Sequence, residues 1–320
     1  MLKDGFLLGL LKRQKGPESI NLRKLIDDLY APWLKEHRRG APTTLYILTH
    51  YFKDFMERNV ESITTQEVER WQTQERERGL KASSINRPLT ALKSILHWAC
   101  KRGIIAEYPL KYLEMLRDES DARVRYLSDE ERKRLFAAID ERERKLKKHQ
   151  PGISEEDFAD HIKPMILISL NTGIRRGALL AIRWSDVDLQ KGLLVLRAAS
   201  AKNARTLYAP MNRTVKRTLY TWKRQTHGAD SALVFRYSDG TPISSTHYIW
   251  KKLLCTAKIQ NFHWHDMRHD FASRLAMSGV DLNTIRELLG HTDLKMTLRY
   301  AHLTPQIRQK AVNTLDIDSA

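Results

Sequence analysis

The sequence predicts a mainly α-helical protein of α+β class, built as two domains with a small β-sheet in the second. Three observations carry that reading. The chain has 320 residues, more than one hydrophobic core comfortably serves at roughly 100–200 residues per domain. Apolar residues recur at helical spacing through most of its length, first in Leu22, Leu25, Ile26 and Leu29. Only Gly192 to Arg197 (GLLVLR) and Arg205 to Pro210 (RTLYAP) read as strands.

Residues 1–18 read as an N-terminal tail, with Gly16-Pro17 as a break before ordered chain. From Asn21 to Gly103 the pattern gives four or five short helices and no convincing strand, an all-α domain over residues 19–104. Tyr46, Ile47, Phe52 and Phe55 form one stripe and Leu89, Leu92, Leu96 and Ala99 another, with Gly103 as a stop. Thr64 with Glu67 is a capping box, a hydroxyl and a carboxylate three residues apart that satisfy each other's free N–H groups. Pro109 and the mixed run Arg117 to Arg125 suit a linker over 105–124.

Ser128 with Glu131 repeats the capping box, so the second domain, 125–320, begins near Arg125. Lys133 to His149 is almost all charge, which reads as a solvated helix face or an insertion. Pro164 opens a buried helix over Met165 to Leu170. From Asn261 onward the pattern is helical, with Gly279 and Gly290 as stops and Thr304-Pro305 opening a last helix, Gln306 to Leu315.

Fifty-five Lys+Arg against 38 Asp+Glu leave a formal charge of +17. Such an excess favours a polyanionic partner, nucleic acid before an anionic membrane surface. Residues 201–300 alone carry 16 Lys+Arg and 7 Asp+Glu, so about half of the excess sits in that third of the chain. Cys100 and Cys255 are the only cysteines, too few and too far apart for a disulfide framework or a cysteine zinc site, and a reducing intracellular compartment fits. No apolar run approaches the roughly 20 residues of a membrane span.

The unusual polar residues fall in a few places. His265 and Arg268, three apart at the start of a helix, share a face, an imidazole beside a guanidinium suited to a phosphate. His265 and His269, four apart, could instead be two metal ligands, though no third ligand is obvious. Asp186 and Asp188 could feed a metal-dependent nuclease, but they read better as a turn between helix and strand. Arg175 follows a Thr-Gly turn that fixes its direction, and Lys202 lies in a hairpin tip, Ser200 to Ala204, from which an ammonium can reach a ligand. His291 follows Leu289-Gly290, and Tyr300 could be core, a base-stacking platform or a nucleophile.

In this order and context, Arg175, Lys202, His265-x-x-Arg268, His291 and Tyr300 resemble the tyrosine recombinase family, also called phage integrases. The likeness extends through TGIRRGALLAIRWSDVDL from Thr172, HDMRHDFASRLAMSGVDLNTIRELLGH from His265 and MTLRYAHL from Met296. It implies a two-domain DNA clamp of the tyrosine recombinase type, with residues 19–104 as a SAM-like core-binding domain and 125–320 as the catalytic domain with a C-terminal tail helix. Arg175 and Arg268 are then expected to neutralise charge on a scissile phosphate without a metal or other cofactor. Tyr300 is the expected nucleophile, giving a 3′-phosphotyrosyl link and a free 5′-hydroxyl. His265 and Lys202 are expected to handle protons, the lysine as the usual acid, and His291 to hydrogen-bond the phosphate.

The implied partner is double-stranded DNA at an attachment or recombination site, contacted from the first domain by Arg87, Lys93, Lys101 and Arg102. The tail implies self-association, as a tetramer on DNA, and DNA-bending accessory proteins are further expected partners. The expected role is integration and excision of a mobile element by a cytoplasmic, nucleoid-associated protein of prokaryotic or phage origin. Two departures stand out. Ala178 occupies the place of a usual acidic residue three positions after the first arginine, and residues 1–18, a tail or a remnant of an arm-binding region, are too few for an arm-binding domain, so either this member lacks one or the chain is a fragment. Rival readings are a type-IB-like DNA topoisomerase, a catalytically decayed DNA-binding relic and, furthest, a metal-dependent nuclease or transposase.

Overall fold

The computed structural model describes residues 19–38, 40–117, 124–197, 206–303 and 312–315. Two compact units divide the chain, Met1–Asp121 and Ala122–Ala320.

The regular structure of the first unit is helical, with only an isolated bridge between Asn21 and Asn59 besides the helices among its described residues. Its opening run passes from α1 (Leu22–Lys24) through a π-helical turn (Leu25–Tyr30) into α2 (Ala31–His37). Pro32, in the first turn of α2, has no N–H to give, and the wide turn stands just before it. There follow α3 (Ala41–Tyr51), α4 (Thr65–Glu77) and α5 (Ala82–Lys101), with α3 and α4 both against α5. The capping box Thr64/Glu67 opens α4 as expected. Leu25, Leu48, Phe52, Ile63, Leu89 and Ile95 make the core.

The stretch read as linker is bound to this unit through residue 116. Leu110 and Leu113 are buried, Asn86 pairs with both backbone groups of Leu116 at 2.7 and 3.0 Å, and Gln72 donates to Glu114 O at 3.0 Å. Polar side chains on α4 and α5 thus satisfy backbone groups of a stretch that sequence composition alone reads as linker.

In the second unit α6 (Asp129–Lys147) starts at the Ser128/Glu131 capping box and turns Leu135, Ala138 and Ile139 inward, so the charge-rich stretch is an amphipathic helix. The chain continues through α7 (Ile162–Thr172), α8 (Arg176–Ala181), the strands β1 (Val187–Asp188), β2 (Leu193–Leu196) and β3 (Leu207–Pro210), then α9 (Arg213–Thr226) and α10 (His247–Thr256). The strands form one antiparallel sheet in the order β1-β2-β3, with Val187 opposite Leu194 and Leu194 opposite Ala209. Two of the three were expected; β1 is too short to leave a periodic trace. Next come α11 (Asp266–Met277), α12 (Leu282–Leu289) and α13 (Lys295–Leu298). The buried α7 packs against α9 and α11, while Ala272, Ala276, Ile285, Leu289 and Tyr300 form a smaller core of their own. The expected hairpin tip lies outside the described residues, as does most of the expected last helix, 306–315.

A buried carboxylate fixes the start of this unit to α11. Asp270 is fully buried and accepts from Leu127 N and from Arg132 Nη1, both at 2.9 Å, with Arg274 Nε at 3.4 Å. Removing one member of such a set strands the others. Asp270→Ala is expected to cost about 2–4 kcal/mol and lower the thermal midpoint; Asp270→Asn, which keeps an acceptor for Leu127 N, should cost less. Calorimetry of both variants checks this, and an unchanged midpoint in Asp270→Ala would contradict it.

Candidate active site

Three turns converge on one guanidinium. The first ends α7 at Gly173, which takes a left-handed conformation (φ 63°). No side chain fits there, because a Cβ would stand 2.6 Å from Phe271 and 3.0 Å from Leu289. That turn delivers Arg175, half-buried at the N-cap of α8. The second turn ends α12 at Gly290 (φ 61°) and delivers His291, which is buried. The third, after α13, delivers Tyr300, only 1% exposed.

Arg268 on α11 is 5% exposed and joins the first two turns. It donates through Nη1 to Gly173 O at 2.8 Å and through Nη2 to Leu289 O at 2.5 Å. Both acceptors are carbonyls at the C-terminal end of a helix, which have no partner within the helix and carry the negative end of its dipole. The guanidinium is therefore held by partial charges, and its full positive charge stays uncancelled. Burial, and then the nearby Arg175, push its pKa down to about 9. Burial also lowers that of Arg175. Two cations held this way are suited to an anion that offers several oxygens.

The histidines at the site are held neutral. Burial, with Arg268 and Arg175 adding to it, lowers His291 to about 4, and its Nδ1 meets Thr297 Oγ1 at 2.9 Å. His265, at the N-cap of α11, is lowered by the same three causes. His269 is held at about 4, by burial first and then by His265. Its Nδ1 is 2.7 Å from Tyr300 Oη, and burial raises the pKa of that phenol.

Arg175, His265, Arg268, His291 and Tyr300, chosen from sequence, thus come together. Lys202 lies outside the described residues. His269, read from sequence only as half of a metal pair, instead meets the tyrosine; its place one turn beyond His265 was the available signal. Arg299 was not singled out either, yet its charge lowers the pKa of all three histidines and of Tyr300. Asp186 and Asp188 serve the chain locally, Asp186 accepting from Arg183 N and Arg197 Nε and Asp188 from Lys191 N.

Of the four cations expected to meet DNA from the first unit, Arg87 and Lys101 are exposed on α5. The other two also have partners within the fold. Lys93 donates to Leu113 O at 2.9 Å, and Arg102 lies 5.0 Å over the Trp33 ring and 4.6 Å over that of Trp98. Among the described residues no helix is long and apolar enough to cross a membrane.

Known proteins share both the sequence pattern and the fold. Residues 125–306 match the phage integrase family, and residues 43–103 match the phage integrase N-terminal SAM-like domain. The tyrosine recombinase XerC of Pediococcus pentosaceus is 28% identical over 250 residues, covering 73% of this chain and 76% of that protein. The integrase of Salmonella phage P22 is 30% identical over 173 residues, 50% of this chain and 44% of its own. The Tn1549 transposon integrase, solved with a circular intermediate DNA, has the same fold (TM-score 0.67, 18% identity, covering 93% of this chain and all of that one). Lambda integrase bound to a core site superposes as well (TM-score 0.67, 18% identity, covering 88% and 95%). The chain belongs to the phage integrase family of tyrosine recombinases, enzymes that cleave and rejoin DNA strands.

Proposed function

We propose that the chain is a site-specific recombinase that breaks and reseals DNA through Tyr300, in the integration and excision of a mobile element. The observation that carries the chemistry is the pairing of Arg268, charged and held by carbonyls alone, with a buried tyrosine hydroxyl on the same helix wall. The scissile phosphate binds between Arg175 and Arg268, which take up the charge that grows on its oxygens. The Tyr300 oxygen attacks phosphorus, the bond to the 5′-oxygen breaks, and a 3′-phosphotyrosyl link forms. The proton of Tyr300 passes to a histidine of the site, Lys202 gives the departing 5′-oxygen its proton, and His291 hydrogen-bonds the phosphate. The link stores the energy of the broken bond, so rejoining needs no nucleotide. Ala178, buried where the family usually has an acid, affects rate rather than the course of the reaction.

The mobile-element role is supported by the phage and transposon integrases among the matching proteins. Assembly on DNA is proposed by analogy with lambda integrase, solved as a dimer on its core site; a tetramer on the recombination site, with DNA-bending accessory proteins, completes the reading. Arg87 and Lys101 contribute phosphate contacts, which give affinity and salt dependence more than sequence preference.

The test uses nicked duplexes covering the DNA that flanks the gene, incubated with the protein in EDTA and run on a denaturing gel. A slow, protease-sensitive protein–DNA band is expected from the wild type and none from Tyr300→Phe; relaxation of plasmid lacking any such site would favour the topoisomerase reading instead. On the fragment so trapped, Arg175→Ala is expected to slow cleavage by about 10²–10³-fold, the loss seen when one charge-stabilising donor is removed. DNA binding at low salt should change far less. Equal losses in binding and in cleavage would show that Arg175 only anchors the duplex.

A further inference from the structure

The imidazole within reach of the tyrosine hydroxyl is that of His269, not the His265 expected to act as base. His269 Nδ1 stands 2.7 Å from Tyr300 Oη, while the His265 ring lies 5.6 Å from that of His269 and nearly perpendicular to it. The partners are 31 residues apart in sequence, and α11 sets one and the turn after α13 the other. Tyr300 is 1% exposed, so bulk water does not compete for its proton. Arg268, the residue before His269, holds the phosphate-facing cation on the same helix turn. Position and proton acceptor thus arrive together.

We infer that His269 is a catalytic residue, taking the proton of Tyr300 as that oxygen attacks the phosphate; this rests on Tyr300 being the nucleophile. In the step, the Oη–H proton passes to Nδ1, an oxygen lone pair forms the bond to phosphorus, the P–O5′ bond breaks, and the leaving oxygen takes its proton from the acid assigned above, the Lys202 ammonium. Rejoining reverses each transfer, so the protonated His269 returns its proton to the tyrosine. The groups facing the imidazole are His265, Asp266, Arg299 and Arg268. Burial first, then His265 and the cations Arg299 and Arg268, lower its pKa to about 4 against the opposing pull of Asp266, so the imidazole is neutral at pH 7 and Nδ1 can accept. A phosphodiester seated on Arg268 brings a negative charge that offsets these cations, so His269 becomes a stronger base as its substrate arrives.

The experiment compares wild type, His269→Ala, His269→Asn and Lys202→Ala on the DNA fragment trapped above, made with either a normal or a sulfur atom at the 5′-bridging position. A thiolate leaves without a proton, so sulfur relieves loss of the acid but not loss of the base. Both His269 variants are expected to bind the fragment yet cleave about 10²–10³-fold more slowly with oxygen and with sulfur alike, whereas Lys202→Ala recovers with sulfur. Asparagine puts an oxygen acceptor where Nδ1 stood but takes no proton. A wild-type rate in His269→Asn would reduce the residue to a positioning hydrogen bond and overturn the inference, as would recovery of the His269 variants by sulfur. If His269→Ala loses DNA binding through misfolding, His269→Asn decides alone. Failure of the wild type to form any covalent complex would instead remove the nucleophile reading itself.

Discussion

A buried arginine with no carboxylate among its hydrogen-bond partners organises the second unit. A cation taken out of water needs compensation, and a carboxylate would give it at the expense of the charge itself. Arg268 is instead held by Gly173 O and Leu289 O, the exposed ends of two helices. These carbonyls would otherwise lack partners, so one guanidinium satisfies both helix ends and stays charged. The same two bonds fix the turns that carry Arg175 and His291. The positions of Arg175 and His291 are therefore consequences of how Arg268 is solvated by the protein.

The helix that carries it, α11, serves fold and chemistry on opposite faces. His265, Arg268 and His269 face the turns, while Asp270, the next residue, is fully buried and gathers Leu127 N, Arg132 and Arg274. Successive residues on a helix are about 100° apart, so neighbours point to different surroundings. Asp270 anchors the helix through Leu127 N and Arg132 rather than through the residues of the active site. Gly173 contributes by subtraction: with no side chain there, Phe271 and Leu289 can close over the turn.

Much of this was legible in the sequence where the cause is local. Both capping boxes, at Thr64 and Ser128, open the helices expected of them, and glycine marks the ends after α7 and α12 because a left-handed residue is needed there. What escaped was set by distant partners. The contact of His269 with Tyr300 spans 31 residues. Lys93 reads as a free cation until Leu113 O is found beside it, and Arg102 until Trp33 and Trp98 are found beneath it. The strap at 110–116 reads as linker because its hydrogen bonds come from side chains on α4 and α5. Charge and pattern identify what a residue can do; packing shows which partners it has within the fold.

The crowding of Arg175 and Arg268 bears on the stability of the fold. Each like charge makes the other harder to keep folded in place, and a bound polyanion relieves both. A ligand that binds only the folded chain raises its stability by mass action. Relief of that repulsion would add to the stability gained on binding, and a more stable chain opens to proteases less often. The same pair of neighbouring cations thus links anion binding at this site to the stability of the fold.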